Sequence, residues 1–272
     1  MTDLYAVIGN PIAHSKSPLI HAEFARQTDQ DLRYETRLVP LDGFVAAVAA
    51  FRAQAGRGMN VTVPFKVAAF EHVATRLTDR AAAAQAVNTL KLERDEILGD
   101  NTDGAGLVRD LETNLGFSLA GKRILLMGAG GAARGVMLPL LEKNPHSVTI
   151  TNRNADKAQA LQQQFSRHGK IVAGSYADVA DQPFDLVINA TSASLADALP
   201  PLSPSVFAAA AFAYDMVYQR GQTPFLRFAQ QHGAARCADG IGMLVEQAAE
   251  SFYLWRGVRP DTAPVIALLQ AG

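Results

Sequence analysis

One decapeptide, Ile124-Leu125-Leu126-Met127-Gly128-Ala129-Gly130-Gly131-Ala132-Ala133, constrains the fold more than any other part of the chain. An apolar run of strand length passes straight into a glycine-rich turn and then into a helix-like stretch, Ala132–Glu142. A strand feeding a helix through so short a turn points to a βαβ unit, with parallel strands and helices on the faces of the sheet. The rest of the chain repeats this alternation. Short apolar, β-branched runs occur at Tyr5–Ile8, Tyr34–Val39, Met59–Val63, Val87–Leu92, Arg123–Met127, Ser147–Thr151, Leu186–Asn189 and Phe212–Met216. Helix-like stretches fall between them at Pro18–Thr28, Phe44–Gln54, Ala155–Phe165 and Pro224–Gln231. The fold class is α/β, and 272 residues suffice for two domains or one large one.

Composition removes several classes of function. With 49% hydrophobic and 19% charged residues the chain is an ordinary globular sequence, neither disordered nor coiled-coil. Lys and Arg number 25 against 26 Asp and Glu, so no basic excess exists to neutralise nucleic acid. The longest wholly apolar run, Val206–Tyr214, is far short of the ~20 residues a membrane-spanning helix needs. The first residues lack a signal-peptide pattern, and the single Cys237 has no internal partner for a disulfide, so a cytoplasmic location is expected. Six scattered histidines without a cysteine cluster argue against a metal site. No G-x-S-x-G elbow offers a serine nucleophile, and Cys237 reads as a small strand residue.

A boundary is visible near residues 100 to 121. Asp100-Asn101-Thr102-Asp103-Gly104 reads as a loop, Leu107–Leu115 as an amphipathic helix, and Gly116 and Gly121 bracket entry into the next strand. A second loop, Ala238-Asp239-Gly240-Ile241-Gly242, precedes a helical pattern from Met243 to Trp255. Residues 1–103 are expected to form one lobe, completed by 240–272, and residues 104–239 the other.

The glycine turn matches G-x-G-x-x-A. Gly128 permits the tight turn, Gly130 lets a pyrophosphate approach the backbone, and Ala133 is small enough for close helix–strand packing. Order of strand, turn and helix makes a dinucleotide the expected ligand. About 20 residues further on, an NAD-binding unit places Asp or Glu against the ribose hydroxyl. This chain instead has Thr151-Asn152-Arg153-Asn154, with Lys157 one turn later, which favours the 2′-phosphate of NADP. Asp156 is a weak counter-signal, since it falls after the strand end.

Four polar clusters mark the first lobe. Ser15 and Ser17, two apart, can direct hydroxyls to a small anion or polyol, although Ser17 could equally cap the helix at Pro18. Thr62 and Lys66 flank a strand-to-helix turn; Asn88 and Asp103 lie in two further loops. Each alone reads as a surface charge or turn cap. Together they suggest a crevice outside strand ends.

These motifs together resemble the shikimate dehydrogenase family along nearly the whole chain. They are Ser15-Lys16-Ser17-Pro18, Asn60-Val61-Thr62-Val63-Pro64-Phe65-Lys66, Ala86-Val87-Asn88-Thr89, Gly99-Asp100-Asn101-Thr102-Asp103-Gly104, Gly128-Ala129-Gly130-Gly131-Ala132, Asn189-Ala190-Thr191-Ser192, Tyr214-Asp215-Met216 with Tyr218, and Asp239-Gly240-Ile241-Gly242-Met243-Leu244. The resemblance implies NADPH-dependent reduction of 3-dehydroshikimate to shikimate, a step towards chorismate and the aromatic amino acids. It implies a substrate-binding lobe and a Rossmann-type NADP-binding lobe with a cleft between them. Lys66 and Asp103 then correspond to the catalytic pair. Ser15, Ser17 and Tyr218 correspond to carboxylate-binding hydroxyls; Thr62, Asn88 and Gln247 to ligands of the ring hydroxyls and the reacting centre. Met216 and Gly240 line the nicotinamide in that family, Asp79 stands close to the cofactor, and Asn152, Arg153 and Lys157 match its adenosine-phosphate loop.

Two departures stand out. The family commonly has a glycine shortly after Asn189-Ala190-Thr191-Ser192, whereas this chain continues Ala193-Ser194-Leu195-Ala196. A different backbone shape is therefore expected there, weakening Thr191 and Ser192 as contacts. Asn154 replaces a common Thr, one polar acceptor for another. Alternatives are a broader quinate/shikimate dehydrogenase and a non-catalytic ligand-binding paralogue; the presence of both Lys66 and Asp103 argues against the latter. The expected partner is a small molecule, with no nucleic acid or membrane, and the expected state a monomer or homodimer.

Overall fold

A computed structural model describes residues 2–73, 75–93 and 96–271. Two compact units make up the chain, Met1–Gly106 with Leu244–Gly272, and Leu107–Met243.

The first unit opens with β1 (Asp3–Gly9), α1 (Ser17–Gln27), β2 (Leu32–Leu38), α2 (Phe44–Ala53) and β3 (Gly56–Val61). It continues with α3 (Lys66–His72), α4 (Asp79–Ala84), β4 (Thr89–Leu92), β5 (Ile97–Asp100) and the start of α5 (Asp103–Arg109). Its sheet has the order β2-β1-β3-β4-β5. The first three strands are parallel, whereas β4 runs antiparallel to both β3 and β5. This corrects the uniformly parallel sheet expected from the alternation. Only four residues separate β4 from β5 in sequence, too few for a crossover helix, so these two strands pair antiparallel.

That reversal decides where the polar clusters meet. The carboxyl ends of β1 and β3 share one edge of the sheet, and Asn10 N bonds Val63 O there at 3.0 Å. Because β4 is inverted, its amino end pairs with Asn60 on one side and Asp100 on the other. Asn88, just before β4, and Asn101–Asp103, just after β5, therefore come to the same edge as the loops following β1 and β3.

One face of this sheet buries Ile8, Phe44, Phe51, Met59, Val61, Phe65 and Leu90. The second unit begins within α5, which passes into a wider π-helical turn at Asp110–Asn114. The expected helix at Leu107–Leu115 thus starts earlier, at Asp103, where an acidic first residue suits the helix dipole and Asn101 Oδ1 accepts from the Asp103 N–H at 3.2 Å.

β6 (Arg123–Met127), α6 (Gly131–Leu141), β7 (Ser147–Thr151), α7 (Ala155–Phe165), β8 (Ile171–Gly174), β9 (Phe184–Asn189), β10 (Phe207–Asp215), α8 (Pro224–Gln231) and β11 (Arg236–Ala238) follow. Six parallel strands lie in the order β11-β10-β9-β6-β7-β8. Numbered from β6, this is the 3-2-1-4-5-6 order of doubly wound dinucleotide-binding sheets. Cys237 lies on the edge strand β11, a strand residue as expected.

The chain then enters α9 (Ile241–Arg256) and α10 (Ala263–Ala271). Val245, Ala248, Ala249 and Phe252 of α9 pack with Ile20 and Phe24 of α1 and Val265 of α10, closing the second face of the first unit. Among the described residues no helix is long and apolar enough to cross a membrane.

Candidate active site

In the first unit the polar edge is organised around Asn88, which is 3% exposed. Its carboxamide oxygen accepts from Thr102 N at 2.9 Å and from Thr89 Oγ1 at 2.8 Å. Its nitrogen donates to Asp103 Oδ1 at 2.8 Å, Thr102 Oγ1 at 2.9 Å and Gln247 Oε1 at 3.4 Å. Asp103 is thereby held from one side, and on the other its Oδ2 accepts from Lys66 Nζ at 2.5 Å. Lys66 is the first residue of α3, delivered there by the turn in which Phe65 N bonds Thr62 O. Both side chains are largely buried, at 20% and 9% exposure. An ion pair so sheltered from water is stronger than a surface pair and has a fixed geometry.

Behind Asp103 stands a second carboxylate. Asp100 is fully buried and takes both prongs of the Arg80 guanidinium, at 2.7 and 2.6 Å, with Thr78 Oγ1 at 2.5 Å and Asn101 N at 2.7 Å. Burial pushes its carboxyl up, but the Arg80 fork outweighs it and holds the group below the usual carboxylate range. This pins the loop that carries Thr102 and Asp103.

Ser15 is half-buried and Ser17 buried; Ser15 Oγ accepts from Ser17 N at 3.3 Å. Ser17 opens α1 rather than capping it, since Lys16 occupies the cap position and makes no side-chain capping bond. Asp79 is exposed at the first turn of α4. The structure thus brings Lys66, Asn88, Asp103 and Gln247 into one hydrogen-bonded group, with Thr62 and Ser15 on loops and Ser17 at the start of α1 in the same unit.

Three further members of the group are not singled out by the sequence. Thr102 lies inside a recognised motif, and its hydroxyl meets Asn88 Oδ1 at 3.2 Å and Gln247 Oε1 at 3.4 Å. Asn60 also belongs to a motif; its amide donates to Ser251 Oγ at 2.9 Å and Thr89 Oγ1 at 3.1 Å. Ser251 has no local signal, being one helical turn beyond Gln247.

In the second unit Gly128 has φ +110°, and a Cβ there would stand 3.1 Å from Ala190 O, so glycine is required by the turn itself. Gly130 and Gly131 differ. Neither has a positive φ, and outside the adjoining backbone no atom lies within 4 Å of a Cβ built at either position. The fold does not need glycine at these two places; a side chain there would fill the open space before the amino end of α6. Ala133 is fully buried against the sheet. The amino end of a helix, with free N–H groups and a cradle kept clear of side chains, fits a pyrophosphate.

After β7, Asn152 Nδ2 donates to Asn154 O at 2.9 Å and Asn154 Oδ1 caps α7 by accepting from Asp156 N at 2.9 Å. Arg153 is exposed, as is Lys157. After β9, Asn189 Oδ1 accepts from Thr191 N at 3.1 Å and Thr191 Oγ1 at 2.7 Å, while Ser192 is exposed. Gly240 is buried, and a Cβ on it would overlap the carbonyl of Met216, so these two segments touch backbone to backbone. Tyr218 is half-buried in the loop after β10, where burial raises its phenol pKa. Met216, Gly240 and Tyr218 all belong to the second unit.

Strand order and an open glycine turn define the second unit as a dinucleotide-binding fold, and its presence in one chain with an α/β unit that holds a sheltered ammonium–carboxylate pair is the construction of a dinucleotide-dependent dehydrogenase. Comparison with known proteins narrows this. Residues 7–90 match the family described as shikimate dehydrogenase substrate binding domain, residues 110–196 that of shikimate / quinate 5-dehydrogenase, and residues 240–270 that of the shikimate 5′-dehydrogenase C-terminal domain. A shikimate dehydrogenase (NADP(+)) from Nitrosospira multiformis is 64% identical over 271 residues, covering 100% of this chain and 98% of the relative. The crystal structure of an Ael1 enzyme from Pseudomonas putida superposes with a TM-score of 0.94 at 51% identity, over 98% of both chains. Shikimate 5-dehydrogenase from Thermus thermophilus, solved in complex with NADP(H) and shikimate, superposes with a TM-score of 0.88 at 32% identity, over 99% of both. The chain belongs to the shikimate dehydrogenase family.

Proposed function

We propose that this chain catalyses the reversible reduction of 3-dehydroshikimate to shikimate with NADPH. The observation that carries the reading is the Lys66–Asp103 pair, 2.5 Å apart and sheltered, inside a group of neutral hydrogen-bonding side chains. Ketone reduction needs a proton at oxygen as well as a hydride at carbon. Lys66 supplies that proton: one of its ammonium hydrogens is directed to Asp103, which leaves others for a carbonyl oxygen. Asp103 fixes the ammonium and is itself oriented by Asn88. In the oxidative direction Lys66 accepts the hydroxyl proton.

Asn88, Thr62 and Gln247 serve the ring hydroxyls, and Ser15 and Ser17, with Tyr218, the carboxylate. The first unit is in this reading the substrate domain and the second the cofactor domain. NADP, when bound, supplies the hydride. Gly128, Ala129, Gly130, Gly131 and Ala132 would hold its pyrophosphate, and Asn152, Arg153 and Lys157 its adenosine 2′-phosphate. Asp79, Thr191, Ser192, Met216 and Gly240 complete the cofactor contacts. The enzyme works in the cytoplasm on a small-molecule substrate, as a monomer or homodimer.

The test is nicotinamide absorbance with purified protein, pairing shikimate or quinate with NADP or NAD. Turnover of shikimate with NADP is expected, and Lys66→Ala should lower kcat by roughly 10²–10⁴ with a smaller change in KM. Absence of turnover in all four pairings would overturn the reading. A near-normal kcat in Lys66→Ala would remove that residue from the chemistry.

A further inference from the structure

The departure from the family pattern after Asn189-Ala190-Thr191-Ser192 has a structural counterpart. Ala193–Ala196 forms a 3-10 turn, and Ser194 within it is 2% exposed. Its hydroxyl donates to Asp215 Oδ2 at 2.7 Å and accepts from Asn189 Nδ2 at 3.2 Å. Asp215 is itself fully buried at the end of β10. Besides Ser194 it takes Thr223 Oγ1 at 2.6 Å on Oδ2, and Asn189 Nδ2 at 3.1 Å and Val217 N at 3.0 Å on Oδ1. Among the described residues no cation pairs with it, so these neutral donors are what hold a buried carboxylate in place.

The arrangement runs from Ser194 to the segment that carries Thr191. The Asn189 carboxamide has its nitrogen divided between Ser194 and Asp215, and its oxygen bonded twice to Thr191. Which way that amide faces is therefore set on the nitrogen side and read out on the Thr191 side. Ala193 N also donates to Thr191 Oγ1 at 3.3 Å. Removing the Ser194 hydroxyl takes one acceptor from the amide and one donor from a buried charge, both of which favour rearrangement.

We propose that Ser194 is a positioning residue for the dinucleotide: through Asn189 and Asp215 it fixes the Thr191–Ser192 backbone against the end of β10, a task this chain gives to a buried hydroxyl. The inference rests on the reading that NADP contacts Thr191 and Ser192. Its specific content is that position 194 governs cofactor affinity, and that the wider stability of the Asp215 network does not.

The experiment measures NADPH binding by nicotinamide fluorescence, KM and kcat for both substrates, and thermal melting, for the full chain and three variants. Ser194→Ala and Ser194→Gly should weaken NADPH binding about tenfold and raise its KM in step, while kcat at saturation falls less than about threefold and the KM for shikimate changes less than about twofold. Thr223→Ala is the control, because it also removes a donor to Asp215 and the cap on Leu226 N, but touches neither Asn189 nor Thr191. It should melt at least as early as the Ser194 variants and bind NADPH within about twofold of wild type. Wild-type affinity in both Ser194 variants, or an equal loss in Thr223→Ala, overturns the proposal. Failure of the wild type to bind NADPH at all would instead remove the cofactor reading on which it stands.

Discussion

Acid should destabilise the first unit through one histidine. His21 is fully buried, with its ring 4.2 Å from Tyr34, 5.4 Å from Trp255, 5.9 Å from Phe24 and 6.2 Å from Phe252. Neither ring nitrogen is in hydrogen-bond geometry with a partner among the described residues. Burial lowers its pKa to about 3, opposed only in part by the nearby Asn60 side chain. In the unfolded chain the same group titrates near 6.5. Below that value the unfolded state binds a proton that the folded state refuses, so stability falls with pH, and the loss accumulates until about pH 3. Between pH 7 and pH 5 the difference amounts to about 2 kcal/mol, a substantial part of the ~5–15 kcal/mol that holds a domain folded. Trp255 is the chain's single tryptophan and belongs to the same unit, so its fluorescence reports the relevant unfolding. Urea titrations at pH 7 and pH 5 should be run on the wild type and on His21→Phe, which keeps an aromatic ring but cannot titrate. The carboxylates are common to both proteins and cancel in the comparison. Wild type should lose about 2 kcal/mol more than the variant. Equal losses would refute the reasoning, because they would mean His21 accepts its proton as readily inside the fold as outside it.

Arg153→Ala should raise the KM for NADP by about 10- to 100-fold, the worth of a charge-assisted contact, and leave that for NAD nearly unchanged. Equal losses with both cofactors would place Arg153 elsewhere than at the 2′-phosphate. Gly130→Ala and Gly240→Ala should separate cleanly in thermal melts and cofactor kinetics. The first puts a methyl into open space, so it should keep stability within about 0.5 kcal/mol yet weaken NADP binding. The second drives a Cβ into the carbonyl of Met216 and should cost about 1–3 kcal/mol of stability. Arg80→Ala leaves Asp100 buried without its cation and should cost about 3–5 kcal/mol in denaturant unfolding. Because Arg80 holds Asp100 below its ordinary pKa and burial without Arg80 pushes the carboxyl up, the wild type's advantage over Arg80→Ala should be full near neutral pH and shrink on acidification. A constant advantage down to about pH 2 would contradict this.

Elements with strong local signals are readable from sequence. Arg123–Met127, Ser147–Thr151, Ala155–Phe165 and Pro224–Gln231 coincide with β6, β7, α7 and α8 residue for residue. Weak signals escape. β5, β8 and β11 are only four, four and three residues long; the apolar stretches in the first two, Ile97-Leu98 and Ile171–Ala173, are too short to stand out, and β11 contains Arg236. α3 and α4 are seven and six residues, too short for helical periodicity to emerge. The candidate site divides the same way. Its glycine turn is a local pattern with a local cause, whereas the roles of Lys66, Asp103 and Gln247 come from resemblance alone. Nothing near Asn88 says that it will meet a side chain 159 positions away, at Gln247, since that contact is made by tertiary packing of α9.

Consecutive residues at the end of β10 show why so short a motif can be specific without looking chemical. Side chains alternate across a strand, so Tyr214 and Asp215 leave opposite faces of the sheet. Tyr214 is buried completely and donates to Asp110 Oδ2 at 2.7 Å. Asp110 is the first residue of the π-helical turn, and a Cβ at Gly242 would overlap its carboxylate. Burial and that neighbouring carboxylate raise the Tyr214 phenol well above its ordinary range, keeping it a proton donor. Asp215, on the other face, is gripped by Asn189, Ser194 and Thr223. The strand end is thus fixed on both faces immediately before Met216, whose carbonyl lies against Gly240. The glycines at 240 and 242 leave room for the Met216 carbonyl and for the Asp110 carboxylate that Tyr214 bonds. In the fold Tyr214 and Asp215 are the two pins that set where the next residue stands.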